Sequence, residues 1–119
     1  MRLFVATIFA VISFTASAFA IDFTQTLKDF DGNEFKDQNG QPAPMVLGTV
    51  IENALMSERA TIPDDERKQR FLLALRLHEH AKDYAPTPDE VVMMKKALAV
   101  QPIVIMGQAT RIIDPTWAK

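Results

Sequence analysis

Residues 71–77 read FLLALRL, and this stretch decides the fold because every side chain in it except Arg76 is apolar. Apolar residues at spacings of three and four are typical of a helix. The surrounding pattern predicts a helix from about Pro63 to Tyr84, with Thr61 as its N-cap and acidic residues in its first turn, where the helix dipole favours negative charge. Since FLLALRL is apolar around more than one face, we expect this helix to be the central helix of the core.

Three further helices are predicted on either side of it. Residues 45–57 carry apolar side chains at helical spacing, although no good N-cap stands before Leu47. Residues 87–90 read TPDE, which combines an N-cap threonine, a proline at the first helical position and a glutamate at the third, the pattern of a capping box. A helix should run from there to about residue 100, and the last helix from about residue 102 to about residue 114.

The segment at residues 21–41 is predicted to be β. Asp31-Gly32 lies between two short stretches in which apolar and polar residues mix, and Asp-Gly is a strong hairpin signal because both residues tolerate positive φ. Asn39-Gly40 marks a second turn, and Pro42 and Pro44 end the β region.

These elements together predict the α+β fold class, mainly α, with an N-terminal β-hairpin packed on about four short helices. We expect one small globular domain at residues 21–114, followed by a short tail at residues 115–119. A chain of 119 residues fits one domain of this kind. It contains no cysteine, so thiol catalysis, haem attachment through cysteine and cysteine zinc sites are excluded, and packing alone must hold the fold.

Residues 1–20, MRLFVATIFAVISFTASAFA, have the order of a secretory signal peptide. Arg2 gives a basic start, an apolar run follows, and Ala18-Phe19-Ala20 forms a small-x-small cleavage site. Cleavage after Ala20 would begin the mature chain at Ile21. The alternative is an uncleaved membrane anchor, for which the apolar run is slightly short of the roughly 20 residues of a comfortable span. The predicted location is therefore periplasmic or secreted, with no stable membrane insertion after cleavage.

The charge balance is mildly acidic. The chain carries 13 Lys and Arg against 15 Asp and Glu, a net charge of −2, and loss of Arg2 with the leader would make it more negative. This balance favours solubility and disfavours non-specific binding to nucleic acid, so no nucleic-acid partner is predicted.

His78-Glu79-His80 is the most visible metal-like motif. On a helix, residues two apart point about 200° from each other, so His78 and His80 cannot chelate one ion from one face. His78 is expected at the edge of the core and His80 on a solvated polar face. The acids from Asp29 to Asp37 fail the calcium-loop spacing and are expected to be solvated turn residues. No metal or cofactor is predicted.

No catalytic motif is present. Ser57 is the one serine after residue 20, no G-x-S-x-G elbow exists, and the glycines stand singly. The sequence therefore predicts no enzyme activity and no catalytic residue.

Three stretches resemble small phage- and prophage-type proteins of unknown function: LKDFDGN at 27–33, LGTVIENAL at 47–55 and VIMGQATRII at 104–113. They occur in that order, and their shared features are a turn and helix faces. The resemblance implies no catalytic residue. Those relatives usually lack an export segment, so residues 1–20 depart from their pattern.

Three functions stay open at this point. The first is an exported, non-enzymatic binding or accessory protein that acts through an unknown protein partner or through self-association. The second is a phage-derived intracellular or membrane-anchored protein-interaction module. The third is a small metal-binding protein or enzyme that uses His78, His80 and nearby acids.

Overall fold

The computed structural model describes residues 19–57 and 61–118. The predicted signal peptide lies outside the described residues except for Phe19 and Ala20. Four helices form in the described part of the chain, in the predicted order: α1 (Leu47–Leu55), α2 (Asp64–Glu79), α3 (Pro88–Leu98) and α4 (Ile103–Ile113). None of these helices has the length and apolar character needed to span a membrane.

The predicted fold class is wrong in its β part. Residues 19–57 and 61–118 contain no β-strand, and therefore no N-terminal β-hairpin and no α+β architecture. Four isolated antiparallel bridges occur instead: Ile21 with Tyr84, Thr26 with Val46, Lys28 with Glu34, and Lys36 with Pro42. The described structure is thus a set of four helices with an irregular N-terminal segment packed against it.

The Asp-Gly turn itself forms as predicted. Gly32 has a φ of 84°, and the Asp29 carboxylate accepts hydrogen bonds of 2.9 Å from the amides of Asp31 and Asn33. The pairing stops after one bridge because the amide of Leu27 donates to the carbonyl of Met45 at 2.8 Å. The residue that should extend the hairpin ladder is thus paired with the chain just before α1.

The same turn is repeated eight residues later. Lys28-Asp29-Phe30-Asp31-Gly32-Asn33 and Lys36-Asp37-Gln38-Asn39-Gly40-Gln41 share the pattern K-D-x-[DN]-G-[NQ]. In the second copy Gly40 has a φ of 79°, and the Asp37 carboxylate accepts from the amides of Asn39 and Gln41 at 2.8 and 3.0 Å. Two consecutive Asx-type turns at this spacing leave too few residues between them for a strand.

Helix α1, and not α2, is central. It packs against both α2 and α3, and it buries the residues Leu47, Gly48, Ile51, Ala54 and Leu55. The expectation that FLLALRL forms the central helix is therefore wrong. Helix α2 buries one face only, made of Arg70, Leu73, Ala74 and Leu77.

Helix α3 begins with a side-chain cap, whereas α2 begins without one. The TPDE prediction is confirmed: the Thr87 hydroxyl accepts from the amide of Glu90 at 3.2 Å, and the Glu90 carboxylate accepts from the amide of Thr87 at 2.9 Å. The predicted N-cap of α2 is wrong, because Pro63 and not Thr61 occupies that position and no side chain caps the helix. Acidic residues do fill its first turn.

The N-terminal segment is anchored to the loop that follows α2. The amide of Ile21 donates to the carbonyl of Tyr84 at 2.9 Å, and the amide of Phe23 donates to the carbonyl of Ala81. Ile21 and Phe23 are both buried, whereas Phe19 and Ala20 are exposed. The hydrophobic core thus begins at Ile21 and takes residues from all four helices.

Candidate functional site

The two histidines, His78 and His80, do not belong to a cluster of metal-binding side chains among the described residues. The side chain of His78 is 77% exposed, so its expected place at the edge of the core is wrong, and its Nδ1 lies 3.5 Å from Oε1 of Glu52 on α1. His80 is exposed, as expected. Within residues 19–57 and 61–118, no group of three or more His, Cys, Asp or Glu could hold a metal ion.

One polar cluster joins the N-terminus of α3 to α2. The Arg76 guanidinium donates to Oε2 of Glu90 at 2.7 Å and to the hydroxyl of Tyr84 at 3.1 Å. The Tyr84 hydroxyl in turn donates to the Glu90 carboxylate, with distances of 2.8 and 2.9 Å to its two oxygens. Glu90 also caps α3 through Thr87, so its carboxylate is fully used.

The electrostatics of this cluster favour its charged form. Burial pushes the pKa of Glu90 upward, but the amide of Thr87, the Tyr84 hydroxyl and Arg76 outweigh it and hold that pKa below its usual value. Burial raises the pKa of Tyr84, and hydrogen bonds to Tyr84 and Glu90 raise that of Arg76. The phenol therefore stays protonated and the guanidinium charged. Since every group is paired, the cluster fixes α3 against α2.

The outward face of α2 carries three exposed large apolar side chains. Phe71, Leu72 and Leu75 are 51%, 37% and 41% exposed, although they lie in the most apolar stretch of the helix. Residues three and four apart share a helix face, so these three side chains form one patch. Asp65, Lys68 and Glu79 lie on the same side of the helix and are exposed as well.

A groove extends this patch toward the end of α1. It has a volume of about 370 Å³ and is lined by the apolar residues Leu55, Met56, Ile62 and Phe71 and by the basic residues Arg67, Lys68 and Arg70. Contiguous apolar surface of this kind on a small domain marks an interaction site more often than a single exposed side chain does. We call the set Lys68, Phe71, Leu72, Leu75 and Glu79 the outer face of α2.

A comparison with protein-family models finds no match, and neither do comparisons with curated proteins and with solved structures. The resemblance to phage- and prophage-type proteins therefore stays a prediction.

The spacing of charged residues in the sequence indicates the outer face, although the apolar stretch at residues 71–77 was expected to be buried. Asp65, Lys68 and Glu79 fall in register with Leu72 and Leu75 at steps of three and four. Charged residues are almost never fully buried unless they are paired, so this register indicates a solvent-facing stripe. The two leucines on that stripe are exposed for the same geometric reason.

Proposed function

We propose that this chain is a small, exported, non-enzymatic binding or accessory protein that acts through the outer face of α2. The observation that carries the proposal is the exposure of Phe71, Leu72 and Leu75 side by side on one helix. Burying apolar surface against a partner is favourable by roughly 25 cal/mol per Å². A rigid helix that already presents such surface loses little conformational entropy on binding.

Other apolar residues are exposed singly, whereas those of the outer face form a group. Phe30 and Ile103 are more exposed than the three apolar residues of the outer face, at 85% and 82%, but Phe30 lies in a turn and Ile103 at the first position of α4. Neither belongs to a group of three apolar side chains on one helix face. Single exposed apolar residues are common and need no functional explanation.

The test is crosslinking of the protein in the cells that make it, with three forms of the chain. Wild type and Ile103→Asp should give the same crosslinked product, because Ile103 lies outside the outer face. Leu75→Asp should lose that product, since it adds a charge to the centre of the patch at a side chain that is exposed. A wild-type chain without any product, or a product that Leu75→Asp retains, would overturn the proposal.

Export is the second part of the proposal, and the start of the core at Ile21 supports it. Loss of residues 1–20 would remove only the exposed Phe19 and Ala20 from the described structure. The new α-amine would lie at the nitrogen that donates to the carbonyl of Tyr84. A chain that begins at Ile21 therefore keeps the described core and this contact.

N-terminal sequencing and intact mass of the protein from fractionated cells test the export step. A periplasmic or extracellular species that begins at Ile21 is the expected result. A full-length chain in the membrane or the cytosol would contradict export and would favour the membrane-anchored or intracellular interaction module instead.

A further inference from the structure

We infer that the outer face of α2 pairs with the same face of a second copy of this chain, with the two helices antiparallel. This inference rests on the proposed binding function of that face and adds the identity of the partner. It is carried by the order of charged and apolar residues along the helix.

The exposed stripe has the spacing of a helix–helix seam. Asp65, Lys68, Leu72, Leu75 and Glu79 follow one another at steps of three, four, three and four, and all five are exposed. This 3-4 alternation places side chains in one row, as in the a and d positions of helices that pack along their length. Leu72 and Leu75 form the apolar middle of the row, and a charged residue lies beyond them on each side.

The charges at the two ends are opposite and symmetrically placed. Lys68 precedes Leu72 by four residues, and Glu79 follows Leu75 by four. When two copies of α2 lie antiparallel about a two-fold axis between these leucines, Leu72 faces the second Leu75 and Lys68 faces the second Glu79. The seam then has an apolar centre and a lysine–glutamate pair at either end.

The positions of Lys68 and Glu79 along the helix disfavour a parallel pairing of the two helices. In a parallel pair, Lys68 would face the second Lys68 and Glu79 the second Glu79, and like charges across a seam oppose association. A two-fold interface uses the same patch on both subunits and must be self-complementary, a condition that only the antiparallel pairing meets here.

Neither Lys68 nor Glu79 has a competing ion-pair partner among residues 19–57 and 61–118. They lie eleven positions apart on one helix, which separates them by about 16 Å at the helical rise of 1.5 Å per residue. Any coupling between these two residues must therefore be made between two chains.

Phe71 adds apolar area at one side of the seam. A two-fold axis perpendicular to the paired helices keeps the same flank of each helix on the same side, so both Phe71 rings lie together there. Each ring is half exposed in the single chain and borders the groove beside Leu55 and Met56.

The test uses sedimentation equilibrium over a range of concentrations, on the protein purified in the form in which cells accumulate it. Wild type should form dimers. Lys68→Glu and Glu79→Lys should each weaken the dimer by about tenfold, because each variant places like charges at both ends of the seam. Lys36→Glu, which makes the same charge change in the second turn, should leave the dimer unchanged.

Mixing separates pairing between chains from effects on folding. When Lys68→Glu is mixed with Glu79→Lys, every end contact between the two different chains joins a lysine to a glutamate, so the mixture should dimerise about as tightly as wild type although each variant alone dimerises about tenfold more weakly. The double variant should regain the wild-type dimer. Unchanged thermal unfolding of the variants would confirm that each chain is folded.

Two results would overturn the pairing. One is a wild-type chain that stays monomeric up to roughly 1 mM, the range of weak affinities. The other is a dimer that none of the charge changes affects. A monomer whose crosslink to a different protein is lost in Leu75→Asp would overturn the self-pairing and leave the proposed binding function standing.

Discussion

The amide of Gly48 donates a hydrogen bond of 2.7 Å to the carbonyl oxygen of Phe23. The amide of Leu47 makes a similar bond, of 2.8 Å, to the carbonyl of Gln25. No side chain caps α1, so these two carbonyls take up amides of its first turn that have no partner within the helix. The N-terminal segment thus starts the central helix, and Phe23 is fully buried where it does so.

This close contact predicts that Gly48→Ala destabilises the protein. A Cβ at position 48 would lie 3.0 Å from the carbonyl oxygen of Phe23 and 3.2 Å from its Cβ. Overpacking of this kind costs about 1–3 kcal/mol, part of which the better helix propensity of alanine offsets. We expect a net loss of about 1 kcal/mol in urea unfolding.

Gly107→Ala is the matched control. Gly107 lies inside α4, and a Cβ there would meet nothing within 4 Å. Alanine at this position should stabilise the protein by about 0.5–1 kcal/mol through helix propensity alone. A Gly48→Ala variant as stable as Gly107→Ala would contradict the role given to the Phe23 contact.

Tyr84→Phe should destabilise the protein by about 1–2 kcal/mol, because hydrogen bonds to charged groups are worth more than neutral ones. The change removes the hydroxyl that joins Arg76 to Glu90 and keeps the ring, whose centre lies 6.3 Å from that of Phe23. Chemical denaturation at neutral pH measures the loss. A variant as stable as wild type would mean that water replaces the hydroxyl at no cost.

The lowered pKa of Glu90 predicts a dependence of stability on pH. The folded chain holds this pKa below 4.5, its ordinary value, so the unfolded chain binds the proton more readily. The stabilisation is complete above the unfolded pKa and is lost as the pH falls through the folded one. The stability difference between wild type and Glu90→Gln should therefore shrink from pH 7 to about pH 3.

Glutamine is the appropriate replacement because it can still accept the capping hydrogen bond from Thr87. Glu66 and Asp114 also have lowered pKa values, from hydrogen bonds with Lys96 and Lys95, and they act alike in both chains. Their contributions cancel in the difference. A difference that stays constant over this pH range would show that the charge of Glu90 is not what stabilises the fold.

Replacement of both His78 and His80 by alanine should leave the response to divalent ions unchanged. Both side chains are exposed, and the ion-pair partner of His78 is a single carboxylate at 3.5 Å. Thermal unfolding with and without zinc checks this. A rise in melting temperature with zinc that disappears in the double variant would revive the metal-binding hypothesis.

Local sequence rules predicted the elements whose hydrogen bonds are local. The capping box at Thr87 and the turn at Gly32 follow from residues within four positions of each other, and both form. The prediction of a β-hairpin was wrong because the amide of Leu27 donates to the carbonyl of Met45. This contact joins residues far apart in the sequence, and no local pattern indicates it. The start of α1 could not be predicted for the same reason. Its first amides are capped by backbone carbonyls, which every residue type has, so the sequence carries no signal for them.

The candidate site was hidden by a rule that usually holds. Apolar residues on several faces of a helix usually indicate burial, and this predicted a central α2. Leu73 and Leu77 are indeed buried, whereas Leu72 and Leu75 lie on the charged stripe and face outward. In the sequence, only their helical spacing from Lys68 and Glu79 distinguishes the exposed leucines from the buried ones.

The most direct test of the outer face is a photo-reactive amino acid placed at position 75 and, in a second strain, at position 103. We expect a crosslinked product from position 75 and none from position 103. Its mass should be twice that of the chain if the partner is a second copy. No product from position 75, or equal products from both positions, would contradict a binding role for this face.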